Sequence, residues 1–106
     1  MGQFSLFRLQ ECVMLKVNAY FDDQVLSIAY QGESLATTVG VMEAGDYTFS
    51  TSQYERMTII DGELWAKLPG QDEFKPYTHG DQFEVVANAS FDVKVMRATA
   101  YLCTYE

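Results

Sequence analysis

Glu55 is the carboxylate to single out for chemistry, because it closes a run of side chains that can donate hydrogen bonds. Thr48, Ser50, Thr51 and Gln53 precede it and Arg56 follows it. Hydroxyls and amides suit a phosphate or a sugar. A carboxylate beside them can act as a base, hold sugar hydroxyls or stabilise positive charge on carbon. A solvated glutamate at the start of a strand has the same signature, so both readings stand. Tyr47 and Phe49 alternate with Asp46, Thr48 and Ser50, and the same period carries Thr51 onto the Tyr47 face, the expected interior. The candidate catalytic residues are therefore Glu55 and Thr51. Ser50, Gln53, Tyr47 and Arg56 are the candidate substrate-binding residues.

Arginine suits phosphate because its fork donates two parallel hydrogen bonds. Yet Arg56, Lys67, Lys94 and Arg97 each neighbour an expected inward residue, so alternation turns most of them outward. Lys16 and Lys75 are placed less well. A phosphate could instead rest on backbone N–H groups near a glycine. Tyr20, Tyr47, Tyr54, Trp65, Tyr77 and Tyr101 can stack on a nucleobase, and each is equally suited to a core or an interface. His79 is the only histidine. It sits in an expected turn before Gly80, either as an acid for a departing group or with no chemical part. One histidine and scattered carboxylates fall short of the three or more ligands of a mononuclear transition-metal site, so no metal or other cofactor is expected.

The elements that must carry these residues are strands. Leu64, Ala66 and Leu68 oppose Trp65 and Lys67; Phe91, Val93 and Val95 oppose Asp92 and Lys94. A period of two means half-buried β-structure. Asp61-Gly62 between two apolar runs is a hairpin signal. Gln31-Gly32, Ala44-Gly45-Asp46, Pro69-Gly70 and His79-Gly80-Asp81 are weaker breaks. Together they mark out eight to ten strands between Lys16 and Tyr105. Helical periodicity is conceivable only over Gln3–Met14. Many short antiparallel strands imply a sandwich or closed barrel.

The whole chain sets the outer limits. Its 106 residues make one domain, able to bury about two-thirds of the unfolded surface. A net charge of −8 disfavours nucleic acid and anionic membrane as partners, since both need clustered cations. No apolar run approaches the about 20 residues of a membrane helix, and the first residues lack the pattern of a signal peptide. Cys12 and Cys103 are too few for a disulfide framework and read as reduced thiols in a cytoplasmic protein.

Gly40-Val41-Met42, Gly45-Asp46-Tyr47-Thr48-Phe49-Ser50-Thr51, Met57-Thr58-Ile59-Ile60 with Gly62 and Leu64, and Ala100-Tyr101-Leu102-Cys103 occur in one order. Asn18, Tyr20 and Phe21, then Val25, Ser27 and Ile28, extend the set. The chain from Met14 to Tyr105 resembles the pyrimidine/purine nucleoside phosphorylase family of small single-domain cupins. Residues 1–13 then look like an N-terminal extension to a cupin domain at 14–106, expected to pack Phe4 and Phe7 on a partner surface. The resemblance implies an all-β cupin (a jelly-roll barrel of the RmlC type). It also implies a metal-independent pentosyltransferase that cleaves purine and pyrimidine nucleosides with inorganic phosphate, giving free base and ribose 1-phosphate in nucleoside salvage. Glu55 and Gly62 keep the spacing of the first general cupin motif, but its histidines are missing, and of the second motif only Gly80 fits. Analogy with small cupins adds a homodimer. The rival readings are a metal-free cupin that binds a sugar or nucleoside without turnover, an interaction protein, and a metal-dependent oxygenase.

Overall fold

The computed structural model describes residues 15–106. The extension expected over residues 1–13, with Phe4 and Phe7, lies outside the described residues. Ten strands follow one another: β1 (Lys16–Tyr20), β2 (Val25–Gln31), β3 (Ala36–Met42), β4 (Gly45–Ser50), β5 (Glu55–Asp61), β6 (Glu63–Lys67), β7 (Lys75–Thr78), β8 (Gln82–Val85), β9 (Ser90–Val95) and β10 (Thr99–Tyr105). They form a six-stranded sheet, β1-β2-β3-β10-β5-β8, and a four-stranded sheet, β4-β9-β6-β7. All pairs are antiparallel.

The alternating residues account for this arrangement. Phe91, Val93 and Val95 are buried, as are Leu64, Ala66 and Tyr47, and they meet Val25, Met42, Ile59 and Cys103 from the other sheet. Each fully buried aliphatic side chain stabilises the fold by about 1.5–3 kcal/mol relative to exposure. Asp46, Thr48 and Lys94 stand on the outer face of the four-stranded sheet, where the Thr48 hydroxyl donates to Asp92 Oδ1 at 2.8 Å and Lys67 lies 4.0 Å from Asp92.

Asp61-Gly62 is not a hairpin. β5 pairs with β10 and β8, whereas β6 pairs with β9 and β7. The dipeptide is a corner that carries the chain from one sheet to the other. Gly62 has φ +102°, and a Cβ there would meet the Cα of Thr99 at 2.9 Å, so close approach to β10 requires glycine as much as the turn does. The buried Thr99 hydroxyl pins this corner, accepting from the Glu63 N–H at 3.1 Å. Among the described residues four edge strands also remain, β1, β8, β4 and β7, so packing of two sheets rather than full closure defines the barrel.

The two outer faces differ. Register aligns Val17, Ile28, Val39 and Leu102 in one row across the six-stranded sheet, and Ala19, Leu26, Val41 and Ala100 in the next. Val17 is 71 % exposed, and Leu26, Ile28 and Val41 are close to half exposed. That part of the face, over β1, β2, β3 and β10, is apolar, whereas β5 and β8 carry the Arg56–Glu84 pair and the outer face of the four-stranded sheet carries further charges. Among the described residues β1 pairs only with β2, and all of it but half-buried Asn18 is exposed.

Candidate functional site

The two sheets part on one side, between the β1–β2 hairpin and β4, and enclose a cavity of about 370 Å³. Each contributing strand presents its inward-facing residues. β10 supplies Tyr101, Cys103 and Tyr105; β5 supplies Glu55 and Met57; Phe49, Phe91, Tyr20 and Phe21 add rings, and Ser27 and Ser50 add hydroxyls. Tyr101 owes its position to Gly40, its partner across β3. A Cβ at Gly40 would come within 2.6 Å of the Tyr101 ring, so the ring lies across a strand that has no side chain there.

Among the described residues Glu55 is the only carboxylate lining the cavity, and no lysine, arginine or histidine joins it. Its Oε1 accepts from the Cys103 thiol at 3.6 Å. Burial raises the Glu55 pKa above the ordinary glutamate range, partly offset by that thiol. Burial and the nearby Glu55 charge push the Cys103 thiol up to about 12, so it stays protonated at neutral pH and is no thiolate nucleophile. Tyr101 is pushed up to about 12, again chiefly by burial. Tyr105 also rises through burial, its hydroxyl 3.0 Å from the Thr38 hydroxyl. The wall is thus a neutral polar stripe on an aromatic background, with one carboxyl group whose pKa burial raises.

The residues singled out in the sequence scatter around this cavity. Glu55, Ser50 and Thr48 line it. Thr51 is buried beside it, its hydroxyl donating to the Val86 carbonyl at 2.7 Å and accepting from the Ala89 N–H at 3.0 Å. The Tyr47 hydroxyl donates to the Glu43 carbonyl at 2.7 Å and Gln24 Oε1 at 3.3 Å, while its ring backs Phe49. Gln53 is exposed in the loop before β5. Arg56 faces outward to Glu84, Nη2 to Oε2 3.2 Å. Lys67 and Lys94 flank Phe74 on the outer face, 5.4 and 5.0 Å from its ring centre. Of the proposed stacking residues, Tyr20 and Tyr101 line the cavity; Tyr77 packs on Phe83 and Trp65 donates to Glu63. Tyr54 stands half-buried in the Gln53 loop.

Ser27, Met57, Phe91, Phe21, Cys103 and Tyr105 were not foreseen as cavity residues. Tyr101, Cys103 and Tyr105 carry a usable signal, since a period of two puts all three on one face of a strand. Phe21 carries none, because a turn sets its direction. A cupin barrel commonly holds a metal, and the residues here do not fit one. His79 is exposed in the β7–β8 turn, and no three His, Cys, Asp or Glu side chains gather among the described residues.

Two antiparallel sheets closed around a ligand-sized cavity define a single-domain cupin. An RmlC-like cupin from Shewanella frigidimarina shares this fold, with TM-score 0.68 and 13 % identity over 99 % of this chain and 90 % of that one. The family profile for pyrimidine/purine nucleoside phosphorylase matches residues 15–105, and the chain belongs to that family. It is 58 % identical over 92 residues to the pyrimidine/purine nucleoside phosphorylase of Magnetococcus marinus, covering 87 % of this chain and 99 % of that one. It is 55 % identical to the protein of the same name from Hahella chejuensis, with the same coverage. A solved structure from Vibrio parahaemolyticus, described as of unknown function, has TM-score 0.85 and 40 % identity over 89 % of this chain and all of that one.

Proposed function

We propose that the cavity holds a nucleoside beside inorganic phosphate, and that the protein is a broad-specificity nucleoside phosphorylase working without a metal. The observation that carries this is the single carboxylate of Glu55 set into an aromatic-lined cavity of about 370 Å³, in a chain of this family. That volume lies within the about 300–1,000 Å³ of small-ligand pockets. Flat rings suit any base, since each has a π-face.

Phosphate attacks the anomeric carbon as the base departs, forming the C–O bond of ribose 1-phosphate while the glycosidic C–N bond breaks. The base takes up the proton that the attacking phosphate gives up, and leaves. Positive charge accumulates on the sugar in between, and the half-buried Glu55 carboxylate stabilises it. Holding phosphate and nucleoside together removes up to about 7–11 kcal/mol of barrier. The nucleophile is already an anion, so its activation needs no metal.

The test is to incubate the purified protein with uridine or inosine, with and without phosphate, and to measure free base. Phosphate-dependent release is expected; no release above the phosphate-free control overturns the proposal. A second reading, a cupin that binds a sugar or nucleoside without cleaving it, is favoured by the absence of any lysine or arginine along the cavity among the described residues. Uridine-dependent thermal stabilisation without product would select it.

We further propose a homodimer through the apolar outer face of β1, β2, β3 and β10. A self-complementary apolar patch suits a second copy of an otherwise acidic chain. Cysteine usage supports a cytoplasmic setting, with Cys103 a free buried thiol.

A further inference from the structure

Phe21 sits at the mouth of the cavity in a backbone conformation its side chain disfavours. Its φ is +54°, followed by +56° at Asp22 and +68° at Asp23. Aspartate tolerates the left-handed region, but a bulky aromatic there is a genuine outlier. The turn is held from its far side. The Gln24 N–H donates to the Phe21 carbonyl at 3.1 Å, the Glu43 N–H donates to the Gln24 carbonyl at 2.8 Å, and the Tyr47 hydroxyl reaches Gln24 Oε1. These bonds fix a turn that carries the Phe21 ring from the six-stranded sheet across to the four-stranded one. There it lies 5.0 Å from the Tyr47 ring and meets Phe49 edge-on at 5.5 Å.

The ring is nevertheless incompletely covered. Phe21 is 43 % exposed although it lines the cavity with Phe49 and Phe91. Backbone strain and open apolar surface coincide at one residue, and that residue stands where a ligand enters. Strain of this kind persists where surrounding structure enforces it, and it clusters at ligand clamps. A flat, neutral ring would cover the exposed face without bringing a charge near Glu55.

We propose that Phe21 determines base binding by stacking on the base of the nucleoside, so that purines and pyrimidines are both accepted through a contact blind to their edges. This rests on the phosphorylase reading and adds the residue that grips the base. Phe21→Leu keeps an apolar side chain at the same strained position and removes the π-face. Its KM for inosine and uridine should rise about 5- to 150-fold, the equivalent of about 1–3 kcal/mol of stacking. Its kcat should stay within a few-fold, and in the reverse direction its KM for ribose 1-phosphate, which lacks a base, should not change. Phe21→Tyr should restore the nucleoside KM.

Phe21→Trp gives a readout free of turnover. Without phosphate, inosine should quench the added indole fluorescence saturably, and ribose 1-phosphate should not. An unchanged nucleoside KM in Phe21→Leu overturns this inference alone, provided that the native protein releases base. A rise in KM that Phe21→Tyr fails to rescue, or that tracks a fall in Tm, marks Phe21 as structural and overturns it too. A native protein that neither releases base nor binds nucleoside removes both proposals.

Discussion

Glu55 combines a half-buried carboxyl with a thiol neighbour, and the two set its protonation in opposite senses. Burial dominates and raises its pKa. The folded state therefore holds the Glu55 proton more tightly than the unfolded chain does. Its contribution to stability is complete below the ordinary glutamate pKa and is lost as pH rises through the raised value. Glu55→Gln should leave Tm at pH 7.5 unchanged or slightly higher, while lowering phosphorolysis at least about 10²-fold, the scale of one electrostatic group in a preorganised site. A parallel fall in Tm and rate would give Glu55 a structural part instead. The native rate should decline on the acid side, with a midpoint above the ordinary glutamate pKa, and Glu55→Gln should lack that limb; a flat native profile would count against an ionised Glu55. Thr51 makes a contrasting case. Both hydrogen bonds of its hydroxyl serve the segment around Ala89, so Thr51→Val should cost about 1–3 kcal/mol in urea unfolding by orphaning the Ala89 N–H. Thr51→Ser should restore stability. Normal turnover in folded Thr51→Val would confine the hydroxyl to a structural role.

At the scale of elements, the site depends on how β10 lies over β3. Tyr101 crosses Gly40, and no other residue fits beneath its ring. Gly40→Ala should cost about 1–3 kcal/mol through overpacking. It should also turn the Tyr101 ring into the cavity and weaken inosine binding measured by calorimetry. Undiminished binding and stability would show that β3 yields instead. The strands themselves were legible. Alternation in β4, β6 and β9 identified the buried faces, and the turn residues bounded the elements, because side-chain direction in a strand is a local property. Partner choice was not legible. Asp61-Gly62 has the composition of a hairpin, yet Thr99 and the close approach of β10 make it a corner between sheets. Residues distant in sequence decide that.

The whole molecule presents a charged outer face on the four-stranded sheet and an apolar patch over β1, β2, β3 and β10 of the six-stranded one. Val17, Ile28, Val39 and Leu102 fall in one row only because four strands share a register. With β1 largely exposed among the described residues, this row is the surface that most needs a partner. Val39→Glu, at the centre of the row, should convert a dimer to monomer in sedimentation velocity, with little change in the monomer's circular dichroism. A native protein that sediments as a monomer at 50 µM would remove the dimer proposal.

From residue order alone came the strand content, the cupin pattern around Glu55 and Gly62 with its histidines absent, and the choice of Glu55 itself. These follow from short-range alternation, from backbone freedom at glycine and from an ordered set of motifs. Tertiary structure alone brought Tyr101, Cys103 and Tyr105 opposite Glu55, sent Arg56 out to Glu84, and swung Phe21 over the cavity mouth. Such placements depend on strand pairing and sheet packing across dozens of residues, where the energy of a contact belongs to neither partner's local sequence.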